Sequence, residues 1–260
     1  MDSDVSFELT NNSSGASASD QPQKKSSAEH SRVLLKVSGE MLTQRTILTA
    51  LLDQIKALQG QTAFAVVTGG GNIFRGRSSP FQHVKPALTD GIGMCASLLN
   101  ALFLHAEMTD AGLPASVFAP FAVPGVCPAF DAEAAMNGLT EGKTVILGGG
   151  TGMPFVTTDT AAVWAALRTE CQMVLKGTKV DGVFDKDPQI HPSATFLPKL
   201  TYSEVLKRGL TPMDKTAMAM AQENNMPIRV FSLEHTGCLV QTLKGTGHFT
   251  EVAGEYRGEN

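Results

Sequence analysis

Two glycine-rich segments of the chain, at positions 69–71 and 148–152, have the residue types that can hold an anion. Glycine lacks a Cβ atom, so its backbone N–H can approach a phosphate closely, and a helix beginning just beyond adds the positive end of its dipole. A single glycine run could equally form a tight turn between a strand and a helix. Two such runs, joined by the cations Lys36 and Arg75, favour phosphate binding at both.

The sequence lacks the common motifs of other phosphate-binding enzymes. It has neither the P-loop pattern nor the set of protein-kinase motifs, and no Gly-x-Gly-x-x-Gly follows the first predicted strand. No motif for a covalent nucleophile is visible. Two phosphate sites without such a nucleophile indicate direct phosphoryl transfer between two phosphorylated molecules, in which the protein mainly positions groups and neutralises charge.

From Arg32 onward, short apolar runs alternate with longer patterns of helical spacing. Strands are predicted at 33–37, 63–67, 115–118, 144–147, 173–175 and 228–231, and helices at 47–58, 91–111, 131–139, 158–168 and 213–224. Thr201 and Glu204 have capping-box spacing and mark a further helix start. This order predicts an α/β fold, a three-layer αβα sandwich with a mostly parallel central sheet. Both glycine-rich segments then follow strands, at the sheet edge where ligands bind.

Composition sets limits on class and location. The 260 residues have a net charge of −4, which disfavours a basic nucleic-acid-binding surface. No run approaches the ~18 to 20 unbroken apolar residues of a membrane helix, so no membrane span is predicted. The four cysteines lie far apart and fit buried thiols in a reducing compartment, which predicts a cytoplasmic protein.

Residues 1–31 are serine-rich and predict a disordered tail rather than a targeting peptide, leaving 32–260 as one domain.

Five segments, at 34–40, 69–76, 150–159, 178–184 and 227–231, resemble in the same order the amino-acid-kinase superfamily, and within it the bacterial-type UMP kinases. The Gly-Gly-Gly-Asn-x-Phe-Arg-Gly run, and Thr-Thr-Asp after a Gly-Thr-Gly loop, separate UMP kinases from the glutamate and aspartate kinases that share the fold. The resemblance implies transfer of the γ-phosphoryl group of ATP to UMP. It also implies an N-terminal lobe for UMP, a C-terminal lobe for ATP, and a homohexamer.

The resemblance implies a role for each matching residue. The implied catalytic residues are Lys36, Arg75, Asp159 and Asp214, with Asp214 restraining Lys36 by a charge-assisted hydrogen bond. The implied ATP site contains Lys36, Val37, Ser38, Gly39, Gly71, Arg75, Thr178, Phe184 and Asp187. The implied UMP site contains Gly70, Asp90, Thr151, Gly152, Met153, Pro154, Phe155, Val156, Thr157 and Thr158. Without the resemblance, Asp90 reads as a helix cap in front of Gly91, and Phe184 as a core residue.

The implied chemistry needs no general base, because a phosphate oxygen of the acceptor is already ionised at neutral pH. Mg²⁺ is expected to accompany ATP, held mostly by phosphates and water, and no protein metal ligands are predicted. Two alternatives remain open at this stage. One is an enzyme of the same fold that phosphorylates a carboxylate or carbamate; the other is a non-catalytic protein that binds nucleotides or oxyanions.

The sequence departs from the family pattern at two places near these sites. Positions 41–45 pass almost directly into a helix, where family members carry a longer glycine-rich excursion associated with regulation by GTP. Met153 stands where the family commonly has Asn, so one side-chain donor and acceptor is missing from the predicted uridylate loop. GTP control is therefore not expected, while the acceptor is still expected to be UMP.

Overall fold

The structure, a computed structural model, describes residues 31–76 and 83–254. These residues form one eight-stranded sheet in the order β3-β4-β2-β1-β5-β7-β8-β6, with helices on both faces. Its strands are β1 (Ser31–Val37), β2 (Thr62–Thr68), β3 (Ala115–Phe118), β4 (Thr144–Leu147), β5 (Met173–Thr178), β6 (Lys199–Thr201), β7 (Ile228–Ser232) and β8 (Phe249–Ala253). Only the β7–β8 pairing is antiparallel among the described strands. The predicted sandwich with a mostly parallel sheet is confirmed.

The helices of the described residues are α1 (Gly39–Leu42), α2 (Arg45–Ala57), α3 (Pro86–Asp110), α4 (Ala132–Thr140), α5 (Thr158–Arg168), α6 (Tyr202–Arg208), α7 (Lys215–Glu223) and α8 (Cys238–Lys244). The predicted capping box of α6 is present, since Thr201 and Glu204 each satisfy the other's backbone N–H. Strands β6 and β8 and helix α8 were not predicted. They are short, and their sequences alternate too weakly to mark them as elements.

The central strands place their side chains alternately on the two faces of the sheet. Leu34 of β1 packs on the face covered by α5 and α7, whereas its neighbour Leu35 packs on the face covered by α2, α3 and α8. Lys36 therefore lies on the face of Leu34. Because β1 pairs in parallel with β5, Lys36 is the direct register partner of Lys176. Two lysines thus end adjacent strands on the same face of the sheet, where α5 begins.

Helix α3 differs from its prediction in both its start and its character. It begins at Pro86 rather than at 91, since proline is favoured in the first turn of a helix. This helix of 25 residues is long and apolar enough to cross a membrane, judged by length and composition alone. The sequence did not predict a span there, because polar residues interrupt its apolar runs. In the structure α3 packs against β2, β3 and β4 through Leu98, Ala101 and Leu104, as a core helix does.

The predicted tail falls almost entirely in residues 1–30, which lie outside the described part of the chain. Ser31, which the prediction assigned to the tail, is instead the first residue of β1 and pairs with Thr62. All the described strands, from Ser31 onward, belong to one sheet, and an apolar core packs against each of its two faces.

Candidate active site

A buried ion-pair bridge lies at the carboxyl edge of the sheet. The carboxylate of Asp159 contacts Lys36 Nζ at 3.0 Å through Oδ1 and Lys176 Nζ at 2.8 Å through Oδ2. The three side chains are 12% to 15% exposed. Asp159 lies in the first turn of α5, whose N-cap Thr157 accepts a hydrogen bond from the Asp159 backbone N–H. The strand register supplies the two lysines, and the start of α5 supplies the carboxylate between them.

The electrostatics of this bridge reflect burial and mutual charge. Burial by itself would raise the pKa of Asp159, but the ammonium groups of Lys36 and Lys176 outweigh it and lower that pKa below its ordinary value. The pKa of Lys176 is lowered, first because the ammonium group is buried and also because Lys36 is close, while Asp159 opposes the shift. The three groups of the bridge therefore carry excess positive charge, although the carboxylate of Asp214 also acts on Lys176 and opposes the lowering of its pKa. A phosphate group could neutralise that excess.

Lys36 is the less firmly held of the two lysines. Lys176 Nζ also donates a hydrogen bond to the Pro212 carbonyl, whereas the Asp159 oxygen facing Lys36 has no well-oriented hydrogen bond. Its contact with Lys36 is thus an ion pair maintained by charge. Such a lysine can transfer to an incoming phosphate oxygen at a smaller cost in hydrogen bonds.

Asp214 does not restrain Lys36, so this part of the prediction is wrong. Its side chain accepts hydrogen bonds from the hydroxyls of Thr157 and Thr160 and from the backbone N–H of Ala217, the last as the N-cap of α7. Asp159 reaches Lys36 instead, because α5 starts directly above the ends of β1 and β5. Asp214 ties the beginning of α7 to the beginning of α5 and so fixes the backbone that carries Asp159.

A pocket of about 200 Å³ opens on the side of β2, β4 and α3. Of the residues predicted to bind UMP, its lining includes Gly70, Asp90, Thr151, Met153, Val156, Thr157 and Thr158. Gly152, Pro154 and Phe155 are not among its lining residues. Gly71, predicted for the ATP site, also lines this pocket. The loops after β2 and β4, which hold the two glycine-rich segments, thus form opposite walls of one pocket.

Asp90 lies inside α3 rather than in front of it, so both the predicted position before a helix and the alternative role as a cap are wrong. Lys85 occupies the N-cap position of α3, without a side-chain capping hydrogen bond. Asp90 Oδ2 accepts a hydrogen bond of 2.8 Å from the backbone N–H of Phe155, which has a φ of 67°. The Phe155 side chain is 77% exposed. Asp90 therefore holds the loop after β4 against α3 at the pocket rim.

A larger cleft of about 560 Å³ lies on the other side of the bridge. Its lining includes Thr178, Phe184 and Asp187, the three residues predicted for adenosine, and also Lys176. The Phe184 ring packs edge-on against Phe196, with ring centroids 5.5 Å apart. Val37, predicted for the same site, is fully buried, so its side chain belongs to the core and only its backbone is left to contact a ligand.

Arg75 lies near the bridge but makes other contacts. Its Nε donates to the Gly71 carbonyl at 3.1 Å, and its Nη2 pairs with Glu40 on α1. Ser38 is the N-cap of α1, and Gly39 is its first residue. A Cβ atom on Gly39 would lie 1.9 Å from Asn72 Oδ1 and 2.2 Å from Asn100 Nδ2, so no larger residue fits this turn.

Comparison with known proteins agrees with this arrangement. A sequence model of the amino acid kinase family matches residues 31–232. The chain belongs to the amino acid kinase family. It is 43% identical over 230 residues to the uridylate kinase of Nitrobacter hamburgensis, covering 85% of this chain and 97% of that protein. It is 42% identical over 231 residues to the uridylate kinase of Bradyrhizobium diazoefficiens, covering 86% and 97%.

Solved structures give the same result for the fold. The crystal structure of UMP kinase from Ureaplasma parvum matches with a TM-score of 0.81 and 31% sequence identity, covering 86% of this chain and 99% of that one. The UMP kinase of Bacillus anthracis matches with the same TM-score at 30% identity, covering 87% and 97%. The family assignment therefore rests on sequence and on architecture.

Several residues of this amino acid kinase site were not singled out from the sequence. Lys176 was given no role, although, like Lys36, it is a lysine near a strand end. Asn100 was given no role either. In the structure it is buried, and its amide donates to the Gly69 carbonyl at 2.6 Å and to Asn72 Oδ1 at 2.8 Å. A buried amide in an apolar helix was the available signal.

Ser97, one turn before Asn100 on α3, holds the two glycine-rich loops in the same way. Its hydroxyl donates to the Thr68 carbonyl at 2.7 Å and accepts from the Gly149 N–H at 3.0 Å. Because Ser97 and Asn100 are both buried, these hydrogen bonds are costly to lose. Helix α3 thereby sets the positions of the backbone N–H groups in the loops after β2 and β4.

Substitution of Asp159 by Asn is expected to destabilise the protein by about 3–5 kcal/mol near neutral pH, since it leaves two buried ammonium groups without their counter-charge. The pKa of Asp159 is lowered on folding, so its contribution is present above the ordinary value and is lost as pH falls through the lowered one. The stability gap between wild type and variant should therefore close at acidic pH. Urea unfolding of both proteins across pH 3 to 8 measures it, and a gap that is constant over this range would contradict the account.

Proposed function

We propose that the chain catalyses ATP-dependent phosphorylation of UMP to UDP. The observation that carries the proposal is the placement of two pockets on either side of the Lys36–Asp159–Lys176 bridge. Lys176 lines the larger cleft, and Thr158, the neighbour of Asp159, lines the smaller pocket. Relatives named uridylate kinase or UMP kinase, matched over most of the chain, support the choice of UMP as acceptor.

The proposed reaction is a direct in-line transfer from a donor in the larger cleft to an acceptor in the smaller pocket. A phosphate oxygen of UMP attacks the γ-phosphorus of ATP, and the bond to the β-phosphate oxygen breaks, leaving ADP. Lys36 and Lys176 neutralise the charge on the transferring group, and the backbone N–H groups of Gly70 and Gly71 hold phosphate between the sites. The acceptor oxygen is already ionised, so no side chain needs to remove a proton.

Asp159 keeps the two lysines in place for this transfer and partly compensates their charge. It forms no covalent bond during the reaction. Asp214 holds the start of α5 and so positions Asp159. Arg75, 61% exposed at the rim, is assigned to a nucleotide phosphate, as the family resemblance implies. Ser38 and Gly39 contribute the turn after Lys36, which brings the backbone of β1 against the phosphates of ATP.

The residues present fit a metal ion that is carried in by ATP. Among the described residues, no group of three or more His, Cys, Asp or Glu could hold an ion by itself. The Asp159 oxygen without a well-oriented hydrogen bond is the carboxylate atom available to share such an ion. When bound, Mg²⁺ would neutralise phosphate charge, and most of its ligands would be phosphate and water oxygens.

We assign one nucleoside to each pocket. Asp90 and the hydroxyl groups of Thr151, Thr157 and Thr158 supply hydrogen-bonding partners for ribose and uracil in the N-terminal lobe. Phe184 offers an aromatic face for adenine in the C-terminal lobe, and Asp187 offers an acceptor. Met153, at the rim of the smaller pocket, supplies only its backbone and an apolar side chain.

A panel of nucleoside monophosphates, assayed by coupled ADP release, should show turnover with UMP well above that with AMP, GMP or CMP. Lys36→Ala should lower kcat by about 100-fold or more while leaving UMP binding nearly unchanged, because the lysine acts mainly on the transferring group. Turnover with a carboxylate or carbamate acceptor, but not with UMP, would overturn the proposal. Nucleotide binding without any turnover in the wild type would also overturn it, in favour of a binding protein.

Substitutions in the two pockets should separate the two substrates. Asp90→Ala should raise the KM for UMP about tenfold, because the proposed hydrogen bond to UMP and the anchor of Phe155 are both lost, while the KM for ATP changes little. Asp187→Ala should do the reverse. Steady-state kinetics with each nucleotide varied in turn measure both constants. Equal effects of either variant on both constants would contradict the assignment of the pockets.

We further propose a cytoplasmic homo-oligomer, a hexamer by the family resemblance. Four large apolar side chains of α3 are exposed: Leu88, Ile92, Leu99 and Phe103. Their spacing places them along one side of the helix, and such a stripe supports contact with another subunit. Light scattering of the purified protein should give a mass of about six chains. A monomer mass at micromolar concentration would contradict the assembly.

A further inference from the structure

Glu40, on the short helix α1, bridges two cations from different loops. Its Oε1 pairs with Nη2 of Arg75, and its Oε2 lies 3.0 Å from Nζ of Lys179. Helix α1 follows Lys36 directly, and its neighbouring side chains Met41 and Leu42 are both 1% exposed. The backbone that carries Glu40 is therefore anchored in the core, although the carboxylate itself faces solvent.

The two partners of Glu40 lie beside residues that line different pockets. Arg75 also bonds to the carbonyl of Gly71, which lines the smaller pocket. Lys179 stands between Thr178 and Val180, which both line the larger cleft. One carboxylate thus connects the loop after β2 with the loop after β5, at the end of the sheet where the phosphates of the two nucleotides must meet.

The ion pairs of Glu40 contribute little to the stability of the fold. Arg75 is 61% exposed, Lys179 48% and Glu40 36%, and exposed ion pairs of this kind are weak. The hydrogen bond from Lys179, and after it the one from Arg75, lowers the pKa of Glu40, so the carboxylate stays ionised at neutral pH. The Glu40 carboxylate instead holds two long, flexible cationic side chains in defined positions before any nucleotide binds. Without the carboxylate, their like charges would repel one another.

We propose that Glu40 is a positioning residue for phosphoryl transfer, and that it holds Arg75 and Lys179 together so that both can contact nucleotide phosphates. This inference rests on the proposed function and adds two residues to it, Glu40 and Lys179. Arranging the cations in advance removes part of the entropy cost of ordering them when substrate binds. Because the two cations lie beside different pockets, the loss of Glu40 affects the use of both nucleotides.

The test is Glu40→Gln, which keeps the shape of the side chain and removes its charge. It should lower kcat/KM for ATP and for UMP by about three- to thirty-fold, the range expected for two exposed charge contacts. Its thermal midpoint should match that of wild type. Glu141→Gln is the matched control, because within the part of the chain that the structure describes Glu141 forms an ion pair with the nearby Lys143 alone, and it lines neither pocket; its kinetics should equal wild type.

Two further variants separate positioning from a merely structural role. Glu40→Asp keeps the charge and should recover part of the lost kcat/KM, whereas equal losses in both Glu40 variants would overturn the electrostatic basis. In a chain that carries Arg75→Ala and Lys179→Ala together, Glu40→Gln should have no additional effect. An unchanged kcat/KM in Glu40→Gln, or a loss confined to one nucleotide, would also overturn the inference.

The outcome is separable from that of the proposed function. Turnover of UMP by the wild type tests the function, whereas the ratio of variant to wild type tests Glu40. If the wild type used a different acceptor, the kcat/KM of Glu40→Gln relative to wild type would be measured for ATP and for that acceptor. A ratio below one for both substrates would still support the role of Glu40.

Discussion

The shared carboxylate of Asp159 is the interaction on which the rest of the site depends. Strand register brings Lys36 and Lys176 side by side on one face of the sheet, and two buried ammonium groups in that position would repel each other. Asp159 compensates both charges and its own pKa is lowered by the two ammonium groups, whereas the pKa of Lys176 is lowered by burial and by Lys36 against the opposing effect of Asp159. Because one carboxylate serves two cations, the bridge of Lys36, Asp159 and Lys176 itself keeps a net positive charge, with the Asp214 carboxylate as a further negative charge that acts on Lys176. A phosphoryl group in transfer, which carries negative charge on several oxygens, is the species that this excess would stabilise.

The glycine-rich loops depend on a second set of buried groups. Ser97 and Asn100 of α3 hold the carbonyls of Thr68 and Gly69, and Ser97 also accepts from the N–H of Gly149. One helix face thus aligns loops that follow two different strands. The polar residues of α3 are therefore part of the site, although neither touches the bridge. Lys36 complements this fixed backbone, since its contact with Asp159 is an ion pair that it can exchange for phosphate.

How far the sequence could predict this molecule differs between the fold and the site. Helix α5 was predicted with its correct bounds, because a hydroxyl residue that can cap a helix stands directly before a strongly periodic run. The glycine loops were placed after the correct strands for similar local reasons. The partner of Lys36 was predicted wrongly as Asp214, because which of two carboxylates reaches a lysine depends on helix placement, which no local pattern encodes. Lys176 was overlooked because its significance appears only when β5 pairs with β1.

The central claim is that the two pockets bring donor and acceptor phosphates together over the bridge. A crystal structure with UMP and a non-hydrolysable ATP analogue tests it most directly. The account predicts the γ-phosphorus within about 3–4 Å of a UMP phosphate oxygen. It also predicts that Lys36 and Lys176 contact the transferring group, with UMP in the smaller pocket and adenine beside Phe184. Nucleotides bound in the reverse pockets, or phosphates that contact neither lysine, would contradict it.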